Sequence, residues 1–321
     1  MILTPIKMTP AFRFGSATPW GGEGLRALGK AIPDARTGES LEVSVLPGLE
    51  SRDEAGRTLT ALLKEHGEAM RGTQVGETFP LLLKLISAQE MLSVQVHPDD
   101  AYANVHEGGK LGKTEAWVIL AAEPGAQIVY GIREGVTREQ LALACQSGGA
   151  AVQACLNRVA VQPGEVYFIP AGMVHALGGG ITLMEIQQSS DVTYRFYDWD
   201  RVDAQGRSRE LHIGKGLDVT DVSLHLSACV GKTRPCAGGQ RTTYIDERAF
   251  TLERWQARGE MMLPQTPEHF SLLCALGEGT LAWDGGELPL HSGDCVFLPA
   301  QMERTTLRGA LDALVCWPGR E

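Results

Sequence analysis

Along this chain the apolar positions mostly alternate with polar ones, and helical spacing is rare. In 37–47, TGESLEVSVLP, Leu41, Val43 and Val45 alternate with Glu42, Ser44 and Leu46, the period of a half-buried strand. FPLLLKLISAQ (79–89) and MLSVQVHP (91–98) predict two buried strands. TEAWVILAAEPG and AQIVYGI continue the pattern. In TLTALLKEHGEAM (58–70), Leu59, Leu62, Leu63 and Met70 instead fall at helical spacing, with Gly72 as the stop. TREQLALACQSGGAAVQACLNRV (137–159) predicts two short helices broken at Gly148 and Gly149. Strands then resume. DVTYRFYDW (191–199) places Thr193, Arg195 and Tyr197 on one face and Val192, Tyr194 and Phe196 on the other.

The pattern also repeats. PGEVYFIPAGMVH (163–175) aligns without gaps with SGDCVFLPAQMER (292–304), and five of the thirteen positions are identical: Gly164/Gly293, Phe168/Phe297, Pro170/Pro299, Ala171/Ala300 and Met173/Met302. That predicts a duplicated β unit. The copies differ at His175, which is Arg304 in the second, and at Gly172, which is Gln301.

Composition narrows the class. At ~150 residues per domain, 321 residues suggest two lobes, here 1–219 and 220–321, with a helical insertion at about 137–158. Glycine, 38 of 321 residues, fits many tight turns between short strands. A net charge of −10 argues against a nucleic-acid surface, yet leaves room for a local basic pocket around one anionic substrate. No segment has the length of a membrane span, and no signal peptide is seen at MILTPIKMTP. Seven scattered cysteines without a CxxC pair point to a reducing cytoplasm. The pattern leaves the choice between monomer and homodimer open.

Three polar residues on one face of an otherwise apolar strand draw attention. Ser93, Gln95 and His97 share a face of MLSVQVHP, with Val94 and Val96 opposite. Gly164-x5-Pro170-x-Gly172-x2-His175 fits the second motif of cupin β-barrels, in which a glycine turn and a Pro-x-Gly bend aim a histidine into the barrel. Lys113 and Glu115, at i and i+2 in GKTEAW, can face the same pocket. His97, His175, Glu115 and optionally Gln95 make an N2O or N2O2 donor set that suits Zn²⁺ or Fe²⁺. Glu185 and Gln187 share a strand face that either lines the barrel or meets solvent.

At these residues the chain resembles the type I phosphomannose isomerases of the short bacterial kind. The carrying stretches are PLLLKLISAQEMLSVQVHPDDAYA, GKTEAW, VYFIPAGMVHALGGG, IQQSSDVTYRFYDWDR and RELHIGKGLDV, with WGG (20–22) and TGESLEVS nearer the N-terminus. The match is strong over about 15–220. The resemblance implies a mainly β fold of two cupin-like (jelly-roll) β-barrel lobes with a small helical insertion, the second lobe degenerate. It implies one Zn²⁺ per chain on His97, Glu115, His175 and Gln95, with Gln95 the weakest ligand. It places an active-site arginine at Arg195 and an active-site lysine at Lys113. Ser93 and Lys84 fall on positions lining the cleft near the sugar phosphate. One element departs from the family pattern: the strand 38–46 lacks its Trp and His, with Leu41 and Leu46 in their places.

The implied reaction is the interconversion of mannose 6-phosphate and fructose 6-phosphate through a cis-enediol(ate). Such chemistry needs a base within reach of the C2 proton and cationic groups for the developing oxyanion. Lys113, crowded by a dication and an arginine that disfavour its ammonium form, is the candidate base or relay. Arg195 is the candidate for the enediolate or the phosphate. The alternatives are an isomerase of another sugar phosphate, a cupin Fe(II) dioxygenase, and a metal-free sugar-phosphate-binding cupin with a regulatory role. The spacing of His97 and Glu115 is wide for a dioxygenase, which would also have no need of Lys113 and Arg195. The first copy's full ligand set counts against the regulatory reading.

Overall fold

The strand Leu81–Ala88 separates two cores by simple alternation. Leu81, Leu83 and Leu85 join an apolar cluster shared with Phe250, Phe270 and Phe297 far down the chain. Ile86, on the other face, packs with Trp117, Ile119 and Leu183, and Leu82 and Lys84 line a cleft. The computed structural model describes residues 3–264 and 266–319. Two lobes of paired sheets emerge from such strands, and the fold is mainly β.

The first lobe holds a six-stranded sheet in the order Ala11–Phe14, Thr37–Val43, Leu81–Ala88, Ile181–Gln188, Glu115–Ala122, Val166–Ile169. Facing it is a five-stranded sheet: Tyr194–Tyr197, Val94–Val96, His175–Ala176, Gln127–Ile132, Leu156–Ala160. The second lobe pairs a seven-stranded with a four-stranded sheet. The N-terminal strand Ile6–Lys7 pairs with Cys295–Leu298, so the span expected for the first lobe, 1–219, lends its first strand to the other lobe's sheet.

The helical insertion forms as Arg138–Ser147 and Gly149–Cys155, with a capping box of Thr137 and Gln140 starting the first. Leu141, Ala144, Val152 and Cys155 cover Val94, Val96 and Val129 on the outer face of the five-stranded sheet. Burying those three valines stabilises the sheet by about 1.5–3 kcal/mol each. Because the outer face is apolar, the alternate residues Gln95, His97 and His175 must face inward.

Several expectations change. The helix over 58–70 is two helices, Leu59–His66 and Glu68–Arg71, because Gly67 at φ +53° ends the first. The strand from Thr37 is buried on both faces, since Glu39 and Glu42 are ion-paired inside the protein. Tyr197 does not share the face of Arg195. A bulge after Arg195, which pairs with Gln95, sets Tyr197 opposite Val94 and turns its ring toward the helices. Helices Asp100–His106 and Ile213–Val219 were not anticipated. All seven cysteines are free thiols, and no described helix is long and apolar enough to cross a membrane.

The duplication extends to hydrogen bonds. Gly164 N–H donates to the Ile119 carbonyl and Ile119 N–H to that of Glu165; Gly293 and Ala275, and Ala275 and Asp294, repeat both bonds. The Glu165 carboxylate accepts from Gln162 N–H at 2.8 Å, and the Asp294 carboxylate from His291 N–H at 2.9 Å. Inside the second lobe, however, Leu273, Leu281, Val296, Leu307 and Val315 fill the space between the sheets.

Candidate metal centre and active-site cleft

His97, Glu115 and His175 are fully buried, and one ligand atom from each lies within 4.8 Å of the others. His97 Nε2 is 3.2 Å from Glu115 Oε1, and His175 Nε2 is 3.6 Å from Oε2. Each imidazole donates Nδ1–H to a backbone carbonyl at 2.9 Å, His97 to Val192 and His175 to Met173. A carbonyl only accepts, so these bonds place the proton on Nδ1 and leave both Nε2 lone pairs facing Glu115. Burial, reinforced by Lys113, pushes His97 down to about 3. Burial also lowers His175 against the pull of Glu115. Both rings are therefore neutral at pH 7, the form a metal binds.

Burial alone would raise Glu115, but Lys113, His97 and His175 hold it well below the usual carboxylate range. Neither carboxylate oxygen accepts a hydrogen bond; Lys113 Nζ lies against Oε1 and 3.1 Å from His97 Nε2. Two aimed imidazole nitrogens and a buried carboxylate, met by Lys113 on Oε1 alone and by no donor on Oε2, fit a divalent cation. Gln95 Nε2 lies 3.3 Å from His175 Nε2, and rotation of the amide would present its oxygen instead.

Local sequence explains the placement. Gly172, at φ +88°, donates its N–H to the His97 carbonyl at 2.9 Å and so ties the loop leading to His175 to the other histidine. A Cβ there would meet the Val219 carbonyl at 3.0 Å. Asp99 caps the helix Asp100–His106. Asp100 Oδ1 accepts from Gly112 N–H and Gln188 Nε2, which brings Lys113 and Glu115 back beside His97.

Gln95 and Lys113, which touch the two histidines, also line a cleft of about 290 Å³. Gln95 pairs with His175 on one neighbouring strand and with Arg195 on the other, so the three stand in one row across the sheet. Ser93, Gln95, Lys84, Lys113 and Arg195 all line the cleft. Lys84 is 4% exposed and lies 3.0 Å from Glu185 and 3.6 Å from Glu39. Glu185 also accepts from Trp117 Nε1 at 2.8 Å, and burial, with Glu115 nearby, pushes its carboxyl up. Glu185 and Gln187 thus face the lobe interior rather than solvent.

A model of the type I phosphomannose isomerase catalytic domain matches residues 31–117, and one of the mannose-6-phosphate isomerase cupin domain matches 240–318. The mannose-6-phosphate isomerase ManA of Bacillus subtilis (strain 168) is 36% identical over 319 residues, 98% of this chain and 99% of that protein. The chain belongs to the type I phosphomannose isomerase family. A mannose-6-phosphate isomerase of Streptococcus mutans is 36% identical over 92% of this chain and 93% of its own length. The crystal structure of mannose 6-phosphate isomerase from Bacillus subtilis superposes with a TM-score of 0.90 at 36% identity, covering 98% of this chain and 99% of the other. A phosphomannose isomerase variant from Salmonella typhimurium shares the fold, with a TM-score of 0.79 at 16% identity over 99% of this chain and all of the other.

Within this phosphomannose isomerase family member, the sequence pointed to the His97, Glu115 and His175 cluster and to Lys84, Ser93, Gln95, Lys113 and Arg195 in the cleft, but missed four charged lining residues, Arg13, Glu39, Asp191 and Arg209. Arg13 lies 3.1 Å from Glu39. Glu39 lies in the strand that departs from the family pattern; with neighbours so buried, an internal ion pair was the readable signal. Arg209 opens the string RELHIGKG, where only its position in a charged loop was visible.

Proposed function

We propose that this chain interconverts mannose 6-phosphate and fructose 6-phosphate through a cis-enediol(ate), with one Zn²⁺ held by His97, Glu115 and His175, and by Gln95 where its amide oxygen turns inward. The observation that carries the reading is the set of two lone-pair-bearing Nε2 atoms and one carboxylate in contact with Lys113 and Gln95, two residues that line a cleft also walled by Arg195. When bound, the metal supplies Lewis acidity to the O1/O2 pair of the sugar.

The chain's own groups supply the rest. Lys113 Nζ lies beside the ligand cluster and, as the free amine, would take the proton from C2 and return it to C1. The 6% exposure of Lys113 keeps bulk water from competing for that proton. Arg195 supplies positive charge from the row that carries Gln95 and His175. Ser93 and Lys84 line the wall against which the sugar lies. The substrate is a small sugar phosphate, and the cell compartment the cytoplasm.

The test is an isomerase assay on mannose 6-phosphate that follows fructose 6-phosphate, with chelator and with added Zn²⁺. Turnover abolished by chelator and restored by Zn²⁺ is expected. Absence of turnover in protein that binds zinc would move the function to another sugar phosphate.

A further inference from the structure

Five cationic side chains line the cleft: Arg13, Lys84, Lys113, Arg195 and Arg209. Four already face carboxylates. Arg13 pairs with Glu39, Lys84 with Glu185 and Glu39, Lys113 with Glu115, and Arg209 with Asp198. Arg195 forms no ion pair with a carboxylate among the described residues. Its Nη1 donates to the Glu210 carbonyl at 2.8 Å, and its Nε is buried without any acceptor. Nitrogens along that edge of the guanidinium fork are thus left for a ligand.

Arg209 is held differently. Its Nε and Nη2 both bond Asp198, at 2.7 and 2.5 Å, which fixes the plane and leaves Nη1 out of that pair. Asp198 also takes Arg201 Nη1 at 3.2 Å. It begins a turn in which Trp199 and Asp200 stand at φ +57° and +55°, a left-handed region costly for side chains of this size. Trp199 Nε1 donates to the Leu92 carbonyl at 2.6 Å, and Tyr197 Oη to Asp200 at 2.8 Å, so the turn is pinned on both sides. A strained, over-determined turn thus fixes a second guanidinium beside Arg195. Their mutual repulsion, added to burial, lowers Arg195 from its ordinary value. An anion between them relieves that repulsion.

We propose that Arg195 and Arg209 together clamp the substrate's phosphate, and that Asp198 is the positioning residue that aims Arg209. The proposal rests on the reading of this cleft as a sugar-phosphate site and moves the phosphate away from Lys84, whose charge is already met by two buried carboxylates. Arg195 lies two strand spacings, about 10 Å, across the sheet from His175. That separation suits a hexose 6-phosphate whose C1–C2 end lies at the metal centre and whose phosphate lies at the far end of the carbon chain. A guanidinium pair also suits a dianion, because each fork offers parallel N–H donors.

The test is calorimetric titration of the full-length, zinc-loaded protein with inorganic phosphate, alongside steady-state kinetics on mannose 6-phosphate. Arg209→Ala is expected to weaken phosphate binding about ten- to a hundred-fold, as for loss of a charged hydrogen bond. KM is expected to rise by a similar factor and kcat to change less. Arg209→Lys should recover part of the loss, and Asp198→Asn should show the same KM-weighted defect with Arg209 intact. If Arg209→Ala does not fold, the lysine and Asp198→Asn variants carry the comparison. Unchanged phosphate affinity in the Arg209 variants and in Arg195→Lys overturns the clamp, as does a wild-type protein that binds no phosphate. Arginine-dependent phosphate binding in a protein that does not isomerise mannose 6-phosphate supports the clamp and sinks the proposed reaction instead.

Discussion

Ser271 occupies in the second lobe the strand position that Glu115 holds in the first. Glu115 pairs with Ile169 and Ser271 with Leu298, and Ile169 and Leu298 are matched positions of the repeat. Arg304 stands where His175 would be. The second lobe therefore lacks both the carboxylate and the imidazole, and its interior is apolar. One metal ion per chain is expected by elemental analysis. In His175→Ala it should be lost together with turnover, because only two strong ligands remain. A second equivalent of tightly held metal, or full occupancy in His175→Ala, would refute the assignment.

Lys113 separates binding from chemistry. Its amine touches the ligand cluster but is not itself needed to hold a cation. Lys113→Met should keep the metal and the fold while kcat falls about 10²–10⁴-fold, the usual worth of a positioned proton-transfer group. Metal content and melting temperature measured on the same sample decide the matter. Loss of metal in parallel with activity would make the lysine structural.

Gly38 packs the TGES segment directly against the tryptophan of WGG. A Cβ on Gly38 would lie 2.6 Å from Trp20 Cζ3 and 2.7 Å from Thr18 Cβ. Thr18 Oγ1 shares its single proton between the Arg13 and Arg36 carbonyls and accepts from Gly38 N–H. Gly38→Ala should therefore destabilise the protein by about 1–3 kcal/mol, as overpacking does, and disturb the wall that carries Arg13. Urea unfolding measures the first effect. A midpoint equal to wild type would show that Trp20 has room to move.

Alternation was the most legible feature. It placed Gln95 and His97 on the face opposite Val94 and Val96, and the outer helices account for that choice. Gly172 and His175 were readable because a positive φ and a close backbone approach demand glycine at one fixed distance from the ligand. Tyr197 was misplaced because a bulge is a property of two strands and leaves no trace in the alternation of one. Glu42 looked solvent-facing for a related reason: its partner Lys30 lies on another segment, and pairing across the fold is invisible in a single strand's pattern. Arg209 escaped notice because its value comes from Asp198, eleven residues earlier across a left-handed turn.

Asp294 offers a test of the duplicated turn by pH. Its carboxylate accepts from His291 N–H at 2.9 Å and pairs with Lys7 at 2.8 Å, which ties the N-terminal strand to the second lobe's sheet. Partial burial would raise it, but the Lys7 and His291 bonds outweigh that and hold it below its ordinary value. A carboxyl depressed in the folded state adds stability above the unfolded value of about 4 and loses it as pH falls through the lower folded value. Both partners are partly exposed, so the ion pair contributes only about 0.5–1 kcal/mol. Asp294→Asn should thus melt about one degree lower than wild type at pH 7, and the two curves should converge as the pH falls well below 4. A gap that stays constant down to acid pH would mean that the turn depends on the shape of the side chain and not on its charge.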